Sequence, residues 1–381
     1  MALGCVAGLL YGPSLAPLGK VGGALIQVIK ALATPLLFLV LVDSFLHATI
    51  RGRAFLWLIT ICAINALLAV LIGMGISNLF VPGAYLPTET TQSVTEALTQ
   101  KDLGTILLSY LPDNIFQPFL THSVPGVILL AVLAGLGLQS LKHEGTDLKA
   151  AEKAIHLAMN VVIQAIAWVV KFSPIAVFAV TAQAVGTHGF GPFQGLAAYV
   201  GCSVLGMLIQ VLVVYQIWIR GFAKISLRKF WREAQAPVLY SFGVNSSLAT
   251  LPLTFQSLQR LKISPTAARI GAGLGTNFNN DGILLYEAMA VLIVAQAYGI
   301  HLSFLAQFGL ALSCVVTAFG VAGVPEAGIV ALSMVLASAG LPTEILPLLL
   351  TVDWIVARCR SATNVVGDLT VSIALDRLKV R

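Results

Sequence analysis

Between Arg53 and Glu89 this chain has no Asp, Glu, Lys or Arg, and the same holds between Lys171 and Arg220 and between Glu287 and Glu326. Each stretch is longer than the roughly 20 apolar residues that carry an α-helix across a hydrocarbon layer. A backbone in lipid has no water to bond, so it must satisfy its N–H and C=O groups internally, and an α-helix does this within one segment. Only 10% of the 381 residues are charged and 58% are hydrophobic, whereas soluble domains carry about 25% charged residues. The expected fold is an all-α polytopic membrane protein. Helical stretches fall at about 1–16, 21–48, 54–81, 103–141 (broken near Pro112, Pro118 and Pro125), 151–184, 194–222, 265–298 and 347–376, which makes about eight transmembrane helices. The first stretch is too short to span a bilayer and lacks the basic start of a signal peptide. It is expected to be the second half of a helix that begins before this sequence.

The net charge of +6 has a membrane explanation. Basic residues cluster at Arg51/Arg53, Lys142/Lys149/Lys153, Arg220/Lys224/Arg228/Lys229/Arg232, Arg260/Lys262/Arg269 and Arg377/Lys379/Arg381, while the alternate connections are nearly free of Lys and Arg. By the positive-inside rule the basic loops and the C-terminus are cytoplasmic, in a multi-pass protein of the plasma (cytoplasmic) membrane. No basic run lies outside these loops, so no nucleic-acid partner is expected. Lipid is the surrounding partner. The five cysteines are scattered, mostly in apolar segments, with neither metal-ligand spacing nor a disulfide framework.

Two apolar segments do not read as plain spans. One, 229–260, is interrupted from Gly243 through Asn245, Ser246, Ser247 and Thr250 to Pro252; the other, 303–342, is interrupted from Gly320 through Gly323, Pro325 and Glu326 to Gly328. Each is long enough for two half-helices and is followed by a helix bearing Asn and Asp: Asn279-Asn280-Asp281-Gly282 after the first, Asn364-Val-Val-Gly367-Asp368 after the second. The expectation is two re-entrant helical hairpins in inverted repeats. Matched interruptions in two halves point to a transporter's central site. The alternative is that these residues are ordinary packing positions and kinks. The last segment also carries Asp353, Arg358, Arg360 and Asp368 in an otherwise apolar setting. Charge inside a bilayer is costly unless it is paired or meets water or a ligand. At three- and four-residue spacing, 353, 357, 360, 364 and 368 share one helix face, which suits an anion together with a small cation.

At Ser246-Ser247 with Thr250-Leu-Pro252, Asn279-x-Asp281-Gly282, Ala322-Gly323-Val324-Pro325-x-Ala-Gly328 and Val352-Asp353-Trp354 followed by Arg360 and Asn364-x-x-Gly-Asp368, the chain resembles the dicarboxylate/amino acid:cation symporters, the glutamate-transporter-like group. The resemblance covers nearly the whole chain and is strongest from 240 to 370. It implies a single symporter domain over 1–381 and a homotrimer. Residues 1–225 would be mostly scaffold, with two helices of a mobile core, and 226–381 would be the transport core with the hairpins 229–260 and 303–342. That core would carry substrate like an elevator.

Arg360 is the leading anion ligand, because a guanidinium grips a carboxylate through two parallel hydrogen bonds; an ion pair with Asp353 or Asp368 is the alternative. Ser246 and Ser247 precede a half-helix, where free N–H groups and the helix dipole favour an anion, unless serine merely caps the helix. The resemblance gives this tip and Asn364 the other carboxylate, and makes Gly323 to Gly328 an outer gate close to the ligand. It also implies one sodium site at Asp368 with Gly275, Asn279 and Asn364, and a second at Asp281; interhelical hydrogen bonding is the alternative for these residues. No cofactor is expected beyond Na+ and/or H+ as coupling ions.

Several residues depart from the family's pattern. Ala357 stands where amino-acid carriers place the aspartate that binds an ammonium group, Ile283 replaces a substrate-touching threonine, and Asn245 sits where some microbial members have arginine. Arg358 takes that arginine's place and is a further candidate substrate ligand; because 358 and 360 lie about 200° apart on a helix, both need not touch one ligand, and bracing of the first hairpin is the alternative for Arg358. Asn280 replaces a methionine, and Cys62, Asn65 and Ala66 fall where side-chain oxygens complete the second sodium site. Glu326 replaces a glycine at the second gate, either as a protonatable group or as an exposed residue of the outer vestibule. The function expected is secondary active symport of a small carboxylate, most of all a C4 dicarboxylate because Ala357 cannot hold an ammonium. An acidic amino-acid symporter and a gated anion channel are the alternatives. No enzyme is expected: the chain has neither a His-Glu-x-x-His nor a Gly-x-Ser-x-Gly motif.

Overall fold

The computed structural model of the chain describes residues 1–47, 53–86, 112–121, 123–320 and 327–379, and among them there is no strand. The helices are α1 (Ala2–Tyr11), α2 (Gly19–His47), α3 (Arg53–Phe80), α4 (Gln117–Leu120), α5 (Val124–His143), α6 (Lys149–Val170), α7 (Ser173–His188), α8 (Gly191–Ile209), α9 (Leu227–Val244), α10 (Ser247–Arg260), α11 (Pro265–Ala268), α12 (Asp281–Ala297), α13 (Phe304–Gly320), α14 (Ala327–Ser338) and α15 (Leu346–Arg377). Among the described residues, four apolar stretches are long enough to cross a membrane: Ala2–Asp43, Arg53–Phe80, Gly126–His143 and Phe193–Phe222. A fifth arises if the pair Lys149–Val169 and Pro174–Thr187, bent by 46°, is one span. α15 is also long, but its middle carries Asp353, Arg358, Arg360 and Asp368.

The chain divides into two compact units, each assembled from three separated stretches. The first comprises Met1–Ala48, Val81–Tyr199 and Ala290–Asp353. Here α1 packs on α7 through glycines: a Cβ on Gly4 would lie 2.7 Å from the Phe178 carbonyl oxygen, and one on Gly8 2.7 Å from that of Ala182. Close backbone approach through small residues is how helices associate in lipid, where expulsion of water supplies no drive. The second interrupted segment appears here as α13 and α14, which pack on each other and on α2. Its expected interruption, with Gly323 and Glu326, falls largely on residues 321–326, outside the described residues.

The second unit comprises Thr49–Phe80, Val200–Met289 and Trp354–Arg381. Its core joins Leu58 and Ile61 of α3, Tyr215 and Ile219 beyond α8, Phe230 of α9, Leu258 of α10 and Val366 and Leu369 of α15. The first interrupted segment is a pair of mutually packed helices, α9 and α10. The break is shorter than the sequence implies. Only Asn245 and Ser246 leave the helical course, and Pro252 lies inside α10. Asn245 ends α9 in the left-handed region (φ 54°, ψ 42°), which asparagine tolerates better than most residues. Ser246 is extended, and its hydroxyl accepts from the Ala249 N–H at 3.1 Å, so it caps α10 in the manner its sequence position allowed.

The stretch 265–298, expected as one helix, is broken. After α11 comes a π-helical turn at Arg269–Leu274, a 3-10 turn at Gly275–Asn277, and then α12 from Asp281. Asn and Asp side chains compete with the backbone for hydrogen bonds, and the break places three of them, Asn279, Asn280 and Asp281, in buried positions.

Candidate functional site

A cluster of buried polar groups in the second unit gathers at the broken start of α12 and the middle of α15. On α15, Arg360, Asn364 and Asp368 recur at helical spacing and are buried, with Ala357 one turn before Arg360 also buried. The Asn364 amide is oriented by its surroundings. Its Oδ1 accepts from the Gly282 N–H at 2.8 Å, and its Nδ2 lies 3.5 Å from Asn280 Oδ1. The first turn of α12 has N–H groups with no intrahelical partner, and Asn364 caps one of them from another helix. That fixes its oxygen on the protein, so the group it can turn to a ligand is the amide N–H, a donor suited to a carboxylate.

Gly282 is required for this approach. A Cβ there would lie 2.7 Å from the Arg360 carbonyl oxygen and 3.0 Å from Asn364 Oδ1. The Arg360 guanidinium stacks 4.1 Å above the centre of the Tyr286 ring, a cation–π contact worth about 2 kcal/mol when desolvated. Glu287, fully buried on the same helix, lies within its electrostatic reach, and neither Glu287 carboxylate oxygen has a hydrogen-bond partner among the described residues. Arg358 is not brought to this cluster. It turns back along its own helix, bonding the Trp354 carbonyl and lying 5.8 Å from the Trp354 ring.

Two turns further along α15, the oxygens gather. Asn279 Nδ2 donates to Asp368 Oδ1 at 3.4 Å and to the Asn364 carbonyl at 3.5 Å. Asp368 Oδ2, Asn279 Oδ1, Thr276 Oγ1 and Asp281 Oδ1 are buried without a hydrogen-bond partner among the described residues. Buried polar atoms are nearly always satisfied, and an all-oxygen set with carboxylates fits a hard cation. The Gly275 carbonyl already accepts from the N–H groups of Phe278 (2.8 Å) and Asn279 (2.7 Å), so as a cation ligand it would have to release one of them.

Asp281 has partners that the sequence did not flag. Its Oδ2 accepts from Tyr215 Oη at 2.7 Å and from Gln210 Nε2 at 3.2 Å, while Trp218 Nε1 donates to Asn65 Oδ1 at 2.8 Å. Residues five apart on an α-helix point about 140° from each other. The chain beyond α8 is π-helical over Gln210–Val214 and again over Ile217–Phe222, a local widening found often at functional sites. It brings Gln210 and Tyr215 to one carboxylate, and a 3.6-residue period cannot reveal that. The only available signal was a Gln, a Tyr and a Trp in an uncharged helix. Cys62, Asn65 and Ala66 are buried on α3; of these Asn65 joins the network.

Ser246 and Ser247 are half-buried at the α9–α10 tip. Ser361 Oγ of α15 donates to Asn245 Oδ1 at 3.0 Å, which ties the tip to the helix carrying Arg360. Gly328 is buried at the start of α14, in the first unit, and Gly323 lies outside the described residues.

Gly367 is the packing point of the oxygen cluster. A Cβ there would collide with the Asn279 amide nitrogen and lie 2.7 Å from Tyr215 Oη. Overpacking of this kind costs about 1–3 kcal/mol. Gly367→Ala is therefore expected to lower the thermal midpoint and to suppress transport more than Gly273→Ala, whose Cβ meets only the Phe255 ring edge at 3.6 Å. Equal behaviour of the two variants would remove the close-packing role.

Residues 1–378 match the sodium:dicarboxylate symporter family. The C4-dicarboxylate transport protein of Rhodospirillum rubrum is 28% identical over 391 residues, covering 97% of this chain and 85% of that protein. That of Stenotrophomonas maltophilia is 28% identical over 379 residues, covering 97% and 83%. The proton/sodium-glutamate symport protein of Bacillus subtilis is 26% identical over 397 residues, covering 99% and 90%.

Proposed function

The chain belongs to the sodium:dicarboxylate symporter family, and from that premise we propose that it is a multi-pass membrane symporter moving a C4 dicarboxylate together with Na+ and/or H+. The observation that carries the reading is one buried face of α15 bearing both an anion donor and a cation acceptor, Arg360 and Asp368. Eight residues at 1.5 Å each put them about 12 Å apart along the helix, room for two carboxylates near Arg360 and a cation beyond. In this reading Arg360 grips one carboxylate. The Asn364 amide and the N–H groups at Ser246–Ser247 hold the other, and Gly323 and Gly328 are the gate residues that the family resemblance implies. Asp368, Asn279, Asn364 through its backbone carbonyl, and Gly275 hold one cation. Asp281 serves a second site in which Tyr215 and Gln210 compete for one of its oxygens.

The proposal includes two re-entrant hairpins, 229–260 and 303–342, in inverted repeats, about eight spans, and a scaffold within 1–225 around a core at 226–381. It further includes a homotrimer, elevator movement of the core, and residence in the plasma membrane with the C-terminus in the cytoplasm. The glutamate symport relative favours an amino-acid carrier as the second reading. Against it stands Ala357, buried one turn before Arg360, which offers no charge to an ammonium group.

Proteoliposomes loaded against sodium or proton gradients are expected to accumulate labelled succinate and to ignore aspartate. Competitive aspartate uptake without succinate uptake would defeat the substrate assignment. Ala357→Asp is expected to weaken succinate uptake about tenfold, since a like charge beside a bound carboxylate costs 1 kcal/mol or more, and to shift preference toward aspartate.

A further inference from the structure

We propose that the hydrogen bond from Ser361 to Asn245 is a positioning clamp that fixes the distance between the α9–α10 tip and Arg360, and thereby sets the length of dicarboxylate accepted. Its substrate class rests on the symporter reading above. The two anion-holding elements belong to different parts of the chain. The guanidinium projects from α15, a continuous helix from Leu346 to Arg377, and the N–H groups of the first turn open α10. Neither helix by itself fixes how far apart these elements stand.

The tip is only Asn245 and Ser246, and both are held. Ser246 caps α10 through Ala249, and its carbonyl accepts from Thr250 Oγ1 at 2.7 Å. Asn245 has a left-handed backbone, and its side chain accepts from Ser361 Oγ at 3.0 Å. Ser361 directly follows Arg360 and lies one turn beyond Ala357, so the tether and the guanidinium ride on consecutive residues of one rigid helix. A substrate with two carboxylates is measured between the tip and that helix. One methylene more or less moves the second carboxylate out of register, as small misplacements of positioned groups do.

Malonate, succinate and glutarate uptake by the wild type, Asn245→Gly, Ser361→Ala, Ser361→Thr and the Asn245→Gly/Ser361→Ala double variant tests this. Glycine keeps the left-handed backbone while removing the acceptor, and threonine keeps the hydroxyl. The wild type is expected to prefer succinate. Loss of the bond, worth about 1 kcal/mol, is expected to raise the succinate KM about five- to tenfold in Asn245→Gly and Ser361→Ala. The glutarate KM should change little and kcat should be kept, with Ser361→Thr restoring the preference. An unchanged succinate-to-glutarate ratio in both variants overturns the clamp as a ruler. The bond itself is judged by thermal midpoints: the double variant should be no less stable than the weaker single variant. Additive losses there overturn the clamp whatever the substrate. A wild type that carries none of the three acids defeats the dicarboxylate reading instead, and the midpoints still decide the clamp.

Discussion

Arg360→Ala is expected to abolish dicarboxylate uptake, with at least a hundredfold fall in kcat/KM. The guanidinium is buried and stacked on Tyr286, so water cannot take its place against a bound carboxylate. Truncating one partner of a buried charge pair costs about 2–5 kcal/mol, or roughly thirty- to several-thousandfold in affinity. The same substitution strips Glu287 of its nearby positive charge, so alanine also threatens the fold. Arg360→Lys separates the two effects. Lysine keeps the charge but loses the planar fork and its two parallel hydrogen bonds, so the protein is expected to stay folded and still to bind succinate at least tenfold more weakly. Thermal-shift titration with succinate reads both quantities, because a ligand that binds only the folded state raises the midpoint. Wild-type succinate affinity in Arg360→Lys would show that the guanidinium does not touch the substrate.

Asp368→Asn is expected to shift the sodium dependence of succinate binding to far higher sodium concentrations. The change keeps shape and one oxygen while deleting the charge opposite Asn279 and the unpartnered oxygens of Thr276 and Asp281. Leaving a buried charge without its counterpart costs about 3–5 kcal/mol, so half-saturation by sodium should rise at least a hundredfold. Concentrative uptake should vanish while exchange of substrate at saturating sodium is reduced rather than lost. An Asp368→Asn protein with the wild-type sodium dependence would relocate the coupling cation to Asp281. Asp281→Asn then carries the next comparison, with Tyr215→Phe beside it, since Tyr215 donates to the other Asp281 oxygen, Oδ2.

Much of this arrangement is legible in the one-dimensional chain, for a local reason. Ala357, Arg360, Asn364 and Asp368 share a face because a helix repeats every 3.6 residues, and that geometry needs no knowledge of neighbours. The tip at Asn245–Ser246 is announced by residues whose own conformational preferences end one helix and start the next. The break before Asp281 was hidden, because the stretch 265–298 reads as one apolar helix and only the folded chain shows it widen at Arg269–Leu274 and turn at Gly275–Asn277. Arg358 illustrates the converse. It belongs to the same motif as Arg360, but two residues along a helix point to the opposite side, and it bonds its own helix at Trp354.

Sequence alone determined that this chain is helical, built for lipid, and carries ionised groups on one face of its last helix. Backbone hydrogen bonding in a solvent without water, and the period of the helix, leave no other outcome for such a pattern. Only the tertiary structure decided who meets those groups. Asn364 caps α12, Tyr286 stacks under Arg360, and Gln210 and Tyr215 reach Asp281 from a widened helix turn. Those partners lie about 70 to 80 residues away along the chain in each case, and contacts at that separation are set by how helices pack, which no local period encodes.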